Sequence, residues 1–295
     1  MGGEGHHHEH HGDAAQGLPW DVVVPAAGVL LLAVGYLLLV RRARARNRDA
    51  GWSPWRTAAF TTGCVLLAAG TLPPIAPYAH EDFRGHMLQH MVIGMYAPLA
   101  LVLGAPITLL LRTLPTAGAR RLTRVLRGGP ARVVAHPVTA LLLSSGSLVV
   151  LYFTPLYEAT ARQPFAHWLL HVHFLLSGCL FAWVIAGPDP APHRPGVPAR
   201  LVVLGVAIAA HAIVAQLVYG GFLVDVHAPV DQMRGAGQIM YYGGDVAELL
   251  LAAALVNTWR PTRAGAVARS PVAASTPVGA KLPGGPDPVR LLDHA

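Results

Sequence analysis

Charge is scarce in this chain. Only 13% of its 295 residues are Asp, Glu, Lys or Arg, where soluble globular domains carry roughly a quarter. That shortage excludes an ordinary soluble domain. Cysteine is scarcer still: Cys64 and Cys179 are the only two. Both fall inside apolar runs, which excludes a disulfide framework and leaves buried free thiols as the expectation. No phosphate-cradling loop and no nucleophile–base set is present, so turnover chemistry is not expected and the chain is read as a non-enzyme. No basic segment precedes the first apolar run, which starts only at residue 22, so a cleavable signal peptide is not expected either.

What the chain has in abundance is apolar sequence. It is 53% hydrophobic with a mean hydropathy of +0.45. Seven runs have about the 17–25 residues a bilayer crossing needs. They cover 22–40, 57–74, 86–111, 138–155, 165–186, 201–221 and 238–258. The expected fold is therefore all-α: a polytopic membrane protein of seven transmembrane helices. Residues 1–21 form a His-rich N-terminal arm, 22–258 the seven-helix membrane domain, and 259–295 a tail rich in Pro, Ala and Gly that is expected to be disordered. Pro98 and Pro106 are expected to bend or interrupt the third span, and Gly243-Gly244 to let helices approach closely.

The arginines orient this arrangement. The first, third and fifth connections and the tail hold nineteen of the 22 Lys and Arg; only Arg84, Arg162 and Arg234 fall on the opposite side. Basic residues resist translocation, so the crowded side is cytoplasmic. The N-terminus is then outside and the C-terminus inside. The formal net charge of +7 reflects topology and attraction to anionic lipid; no nucleic-acid partner is expected.

Histidine and methionine show the opposite bias. His6, His7, His8, His10, His11, His80, His86, His90, His167, His171, His173 and His227 all fall outside or in the outer half. The third and fifth spans both open with H-x-x-x-H, as His86/His90 and His167/His171. Residues at i and i+4 share a helix face, so each pair can aim two imidazoles the same way. Met87 and Met91 repeat the spacing one step round the helix. His173 faces roughly away from His171. Asp245 and Glu248 share a face of the last span, and His211 lies near the middle of the sixth. Charge at such depth costs about 3 kcal/mol or more if left facing lipid, so these groups are expected inside the bundle. His80, Glu81 and Asp82 are expected in a solvated loop.

Imidazole suits copper, zinc, iron and nickel, and thioether favours Cu(I). Met beside His on the oxidising side of a membrane points to copper. The expected ligands are His86, His90, His167 and His171, with Met87 and Met91 as soft auxiliaries. His173, His211, Asp231, Asp245 and Glu248 would orient ligands, neutralise charge or carry protons. The arm histidines 6, 7, 8, 10 and 11 would collect metal. Two other readings of the same residues stand beside this one: a b-type haem-binding oxidoreductase with His90 and His171 as axial ligands, and a copper permease. Histidines that serve only as interhelical hydrogen-bond donors are the plainest alternative.

Four stretches carry a family resemblance: HMLQHMVIGMYAPLALVLGAPITLLLRTLP at 86–115, HPVTALLL at 136–143, YFTPLYEATARQPFAHWLLHVHFLLSGCLFAW at 152–183 and DQMRGAGQIMYYGGDVAELLLA at 231–252. Their order and spacing resemble the cytochrome c oxidase assembly factor family of the Bacillus CtaG type, in its actinobacterial branch. The resemblance covers about residues 55–258. It implies a multi-pass plasma-membrane protein that helps assemble a caa-type haem–copper oxidase, with copper supply as its role. Oxidase subunits, and copper chaperones, are the implied partners. His86, His90, His167 and His171 match the signature histidines, and His173, His211, Asp231 and Glu248 match branch-typical positions. Where the family often reads D-Q-Q, this chain has Asp231-Gln232-Met233.

Overall fold

The computed structural model describes residues 20–46, 51–73, 75–191 and 194–258. The His-rich arm, His193 and the tail lie outside them. Among the described residues the chain is wholly helical, with no strand. The helices run in order as α1 (Trp20–Arg46), α2 (Pro54–Thr71), α3 (Ile75–Glu81), α4 (Phe83–Met91), α5 (Ala97–Leu103), α6 (Pro106–Thr113), α7 (Thr116–Leu126), α8 (Gly129–Val134), α9 (Pro137–Leu141), α10 (Ser147–Tyr152), α11 (Leu156–Ala161), α12 (Pro164–Ala186), α13 (Val197–Gly220) and α14 (Val230–Asn257). Two π-helical turns, Val92–Tyr96 and Leu142–Gly146, join α4 to α5 and α9 to α10.

Among the described residues each of the seven apolar runs is helical over most of its length. Five helices among the described residues are long and apolar enough to cross a membrane: Val22–Arg46, Phe83–Thr113, Pro164–Ala186, Val197–Gly220 and Val230–Asn257. The pair α2 and α3, bent by 40° at its break, counts as a sixth candidate if the two form one span. The run expected at 138–155 is the shorter apolar stretch Pro137–Tyr152, broken in its middle by a π turn. The chain is a multi-pass membrane protein. Leu31, Leu176, Val202 and Leu249, each more than 60% exposed, face outward as lipid contacts would. In water a surface so apolar would invite association.

The L-G-A-P stretch breaks the third span in an ordered way. Ala105 takes a left-handed backbone with φ 53°, which ends α5. Pro106 follows at the first turn of α6, where its missing N–H costs nothing. A Cβ on Gly104 would lie 2.7 Å from Phe60 Cβ, so only glycine lets α2 pass. The Gly104 carbonyl accepts from Tyr36 Oη at 2.8 Å, which ties α1 to the break. The start of α6 is capped from a distance. Asp189, 1% exposed, accepts from Ile107 N at 3.0 Å, Thr108 N at 2.7 Å and the Thr108 hydroxyl. A carboxylate at a helix N-terminus satisfies orphan donors and meets the positive end of the dipole.

The first π turn also has a local cause. Pro98 has no N–H to offer the Gly94 carbonyl four residues back. That carbonyl instead lies against Gly178 of α12, where any Cβ would overlap it. The helices of the bundle core therefore meet backbone to backbone at this level. Around it α14 packs on α13 and α4, and α12 packs on α5 and the first π turn.

Asp189→Ala should lower the thermal unfolding midpoint in detergent, by a loss of about 1–3 kcal/mol from orphaning the buried donors of α6. Asp189→Asn, which keeps one acceptor, should fall between the variant and the parent.

Candidate functional site

The site begins where α3 doubles back onto α4. Asp82 caps α4, accepting from Arg84 N at 2.8 Å, and pairs with the Arg84 guanidinium at 2.6 Å. The hydrogen bonds from Arg84 hold the Asp82 carboxyl below its usual range. Gly85 lies so close under the Tyr78 carbonyl that a Cβ there would overlap it. That contact lays α3 along α4 and brings His80 over the bundle end. The D-Q pair contributes at the same place: Gln232 Oε1 of α14 accepts from Phe83 N at 3.1 Å. Asp231 itself is exposed and Met233 is buried.

Four imidazoles gather here. The ring centroids of His80 and His167 stand 5.2 Å apart, those of His86 and His167 6.1 Å, and those of His167 and His171 4.5 Å. His86 is 3% exposed and lies edge-on to Tyr157 at 4.9 Å. Burial pushes the Tyr157 hydroxyl up to about 12, so this wall is a neutral phenol at physiological pH. His86 Nε2 and His167 Nε2 are buried and lack a hydrogen-bond partner. Orphaned imidazole nitrogens are what a metal would fill. Still, no group of three His, Cys, Asp or Glu among the described residues stands where it could hold a metal ion.

His90 belongs to a different place. One turn below His86, its ring lies edge-on to Phe174 at 4.3 Å and borders a cavity of about 50 Å³ deeper in the bundle. His211, Glu248, Ser144, Ser145 and Ser177 border the same cavity. His211 Nδ1 stands 3.3 Å from Glu248 Oε1, and both residues are about 5% exposed. A Cβ on Gly244 would overlap the His211 ring, so the second glycine of the Gly-Gly pair makes room for the imidazole. The first is used as well: its carbonyl accepts from Tyr96 Oη at 2.7 Å. Asp245 is half-buried and does not border the cavity.

The methionine stripe turns to packing. Met87 is fully buried, its Sδ 3.8 Å from Tyr152 Oη. Met91 lies against α14 at Gly243. Both sit in the apolar cluster with Val214, Val218 and Met240. His173, half-buried, stacks edge-on to Phe174 at 5.4 Å, with its Nε2 unpartnered. His80 was expected in a solvated loop; it is exposed as expected, but it is helical and stands over His167. Nothing local to its sequence signals this, because the placement depends on Gly85 and Tyr78. Tyr152 and Tyr157, which wall His86, are likewise visible only in three dimensions. The arm histidines lie outside the described residues.

A model of the family described as cytochrome c oxidase caa3 assembly factor matches residues 34–262, a range that contains every residue of both clusters. The chain belongs to this family. Within curated proteins it is 34% identical over 260 residues to an uncharacterized protein of Mycobacterium bovis and to another of Mycobacterium tuberculosis. Each of those matches covers 81% of this chain and 39% of the relative. An uncharacterized protein of Mycobacterium leprae is 37% identical over 194 residues, covering 63% of this chain and 29% of its own. The chain thus spans about two fifths of the length of the first two relatives. No solved structure matches it.

Gly244→Ala should displace the His211 ring and lower stability by about 1–3 kcal/mol, the usual cost of overpacking. His211→Ala combined with Gly244→Ala should recover much of that loss. A thermal-unfolding double-mutant cycle in detergent measures the coupling.

Proposed function

We propose that the chain is an assembly factor of the plasma membrane that holds copper at its extracytoplasmic end as cargo for an apo-oxidase subunit. The supporting observation is the gathering of His80, His86, His167 and His171 at one end of the bundle, with buried unpartnered nitrogens on His86 and His167. Imidazole is a good copper donor. A site that must give its cargo up benefits from donors that are near one another without being locked in place.

In this reading the membrane domain, residues 22–258, has seven spans, with Pro137–Tyr152 as the short one. The arginine asymmetry puts the N-terminus outside and the histidine end extracytoplasmic. The His-rich arm then lies on the same side as the imidazole group and can feed it. Copper chaperones would be donors to this end, and oxidase subunits the acceptors. The proposed ligands are His86, His167 and His171, with His80 as the outermost. Met87 and Met91 support the helix from behind, and the chain does no turnover chemistry of its own.

Copper analysis of the purified full chain tests this. The parent should carry copper with no Soret band, and a His86→Ala/His167→Ala variant should lose at least tenfold in copper affinity. Equal copper content in the variant overturns the assignment. Stoichiometric iron with a Soret band would establish a haem protein instead. For the topology, a cytoplasm-active reporter fused after residue 258 should be active, and the same reporter inserted after Arg162, between α11 and α12, should be silent.

A further inference from the structure

The third span starts at the histidine end with α4 and finishes at Thr113, yet the chain does not turn straight back. It first makes α7 and α8, and only then does the next apolar stretch begin, at Pro137. Neither α7 nor α8 contains a buried residue. The helix α7 packs on α6 and α8, its neighbours in the chain. A helix of 11 residues without a packed face is marginal in water. Its order must come from the surface on which it lies.

The sequence of α7 describes that surface. Leu122, Val125 and Leu126 recur at i, i+3 and i+4 and so share one face, and Val125 is 68% exposed. Arg120, Arg121, Arg124 and Arg127 fall on the opposite face, and all four are exposed. In α8, exposed Val133 stands beside exposed Arg132. Residues 112–137 hold six arginines and no Asp or Glu. The arginines at the root of α7 are already engaged. Arg112 lies over the Trp52 ring at 5.4 Å and donates to the Gly51 carbonyl. Arg46 donates to the carbonyls of Thr113 and Leu114, which fastens α1 to the point where α7 starts. Among the described residues the ion pairs involve Arg84, Arg162, His211 and His227. The α7 arginines therefore face outward with no carboxylate beside them.

Depth follows from connectivity. Two residues separate the end of α6 from α7, and two separate α8 from α9. Both ends of the α7–α8 hairpin are thus tied to apolar helices close to where these leave the hydrocarbon. At that level a bilayer offers acyl carbons on one side and phosphates on the other. A basic helix with an apolar stripe matches both. Guanidinium groups bind phosphate through paired N–H donors, and their long stems can bend back to reach it.

We propose that α7 and α8 form an in-plane anchor that binds the headgroups of anionic phospholipids. Leu122, Val125 and Leu126 lie among the upper acyl carbons, and Arg120, Arg121, Arg124 and Arg127 hold the phosphates. In the orientation proposed above this is the cytoplasmic leaflet, where juxtamembrane basic clusters meet anionic lipid. The anchor sits at the opposite end of the third span from the histidines and does not depend on the copper reading.

The test places an environment-sensitive fluorophore on Val125→Cys in the full chain, with the parent treated identically as the blank for Cys64 and Cys179. The nanodiscs contain equal parts of phosphatidylcholine and phosphatidylglycerol, and only one of the two lipids carries brominated acyl chains. Quenching by brominated phosphatidylglycerol should exceed that by brominated phosphatidylcholine by about twofold or more, and the excess should shrink as salt is raised. Adding Arg120→Gln/Arg121→Gln/Arg124→Gln/Arg127→Gln should leave the quenching but remove the excess. No quenching by either lipid overturns the in-plane anchor and leaves α7 facing water or another protein. Equal quenching by the two lipids before the arginines are changed overturns the headgroup assignment. If the label perturbs folding, native mass spectrometry of unlabelled chains released from the same nanodiscs decides. The parent should retain phosphatidylglycerol in preference to phosphatidylcholine, and the four-glutamine variant should lose that preference. The same lipid retention in both overturns the proposal.

Discussion

Polar side chains carried into hydrocarbon must find partners inside the protein, and that requirement organises this bundle. A lone imidazole or carboxylate facing lipid costs more than most single contacts return. Histidines from α4, α12 and α13 and the Glu248 carboxylate of α14 are therefore turned inward, while His80 of α3 stays exposed at the rim. The outward faces are left almost purely apolar, as shown by Leu31, Leu176 and Leu249. Separation of polar interior from apolar exterior is the reverse of what water would select, and it sets which face of each helix is in and which is out.

Glycine and proline carry out the close positioning. Gly85 lets α3 reach α4, Gly244 admits the His211 ring, and Gly178 admits the Gly94 carbonyl. Pro98 and Pro106 release backbone groups at chosen places. At Pro98 the freed carbonyl is absorbed by the facing helix. At Pro106 the helix restarts under the cap of Asp189. None of these devices adds much stability by itself. Together they hold imidazoles from distant parts of the chain at ring separations of 5.2–6.1 Å.

Much of this is legible in the sequence, and the illegible part has a common cause. Each apolar run became a helix because a bilayer leaves the backbone few other choices. His86 of the first H-x-x-x-H pair met His167, and His167 and His171 of the second share a face as i and i+4 do. Periodicity did not reveal that His90, one turn below His86, would open onto a separate cavity. That division depends on Phe174 and Tyr152 standing between the two levels. The Met87/Met91 stripe had the right spacing for auxiliary ligands, yet it faces Tyr152 and Gly243. Spacing sets which residues share a face but not what that face meets. Asp189 lies some 80 residues from the helix it caps, and His80 depends on a contact made through Gly85. Such pairings are long-range, and a single sequence holds no record of them.

The meeting of Gly94 and Gly178 has a mechanical consequence. Two backbones in direct contact cannot move closer, and no side chain lies between them to act as a spacer or cushion. Any rocking of α12 against the third span must use that point as its fulcrum. The ends of the lever then travel furthest: on one arm the rim where His86 faces His167, on the other the Asp189 clasp. A partner that tilts α12 from either end would widen or narrow the mouth of the bundle while the middle stays still.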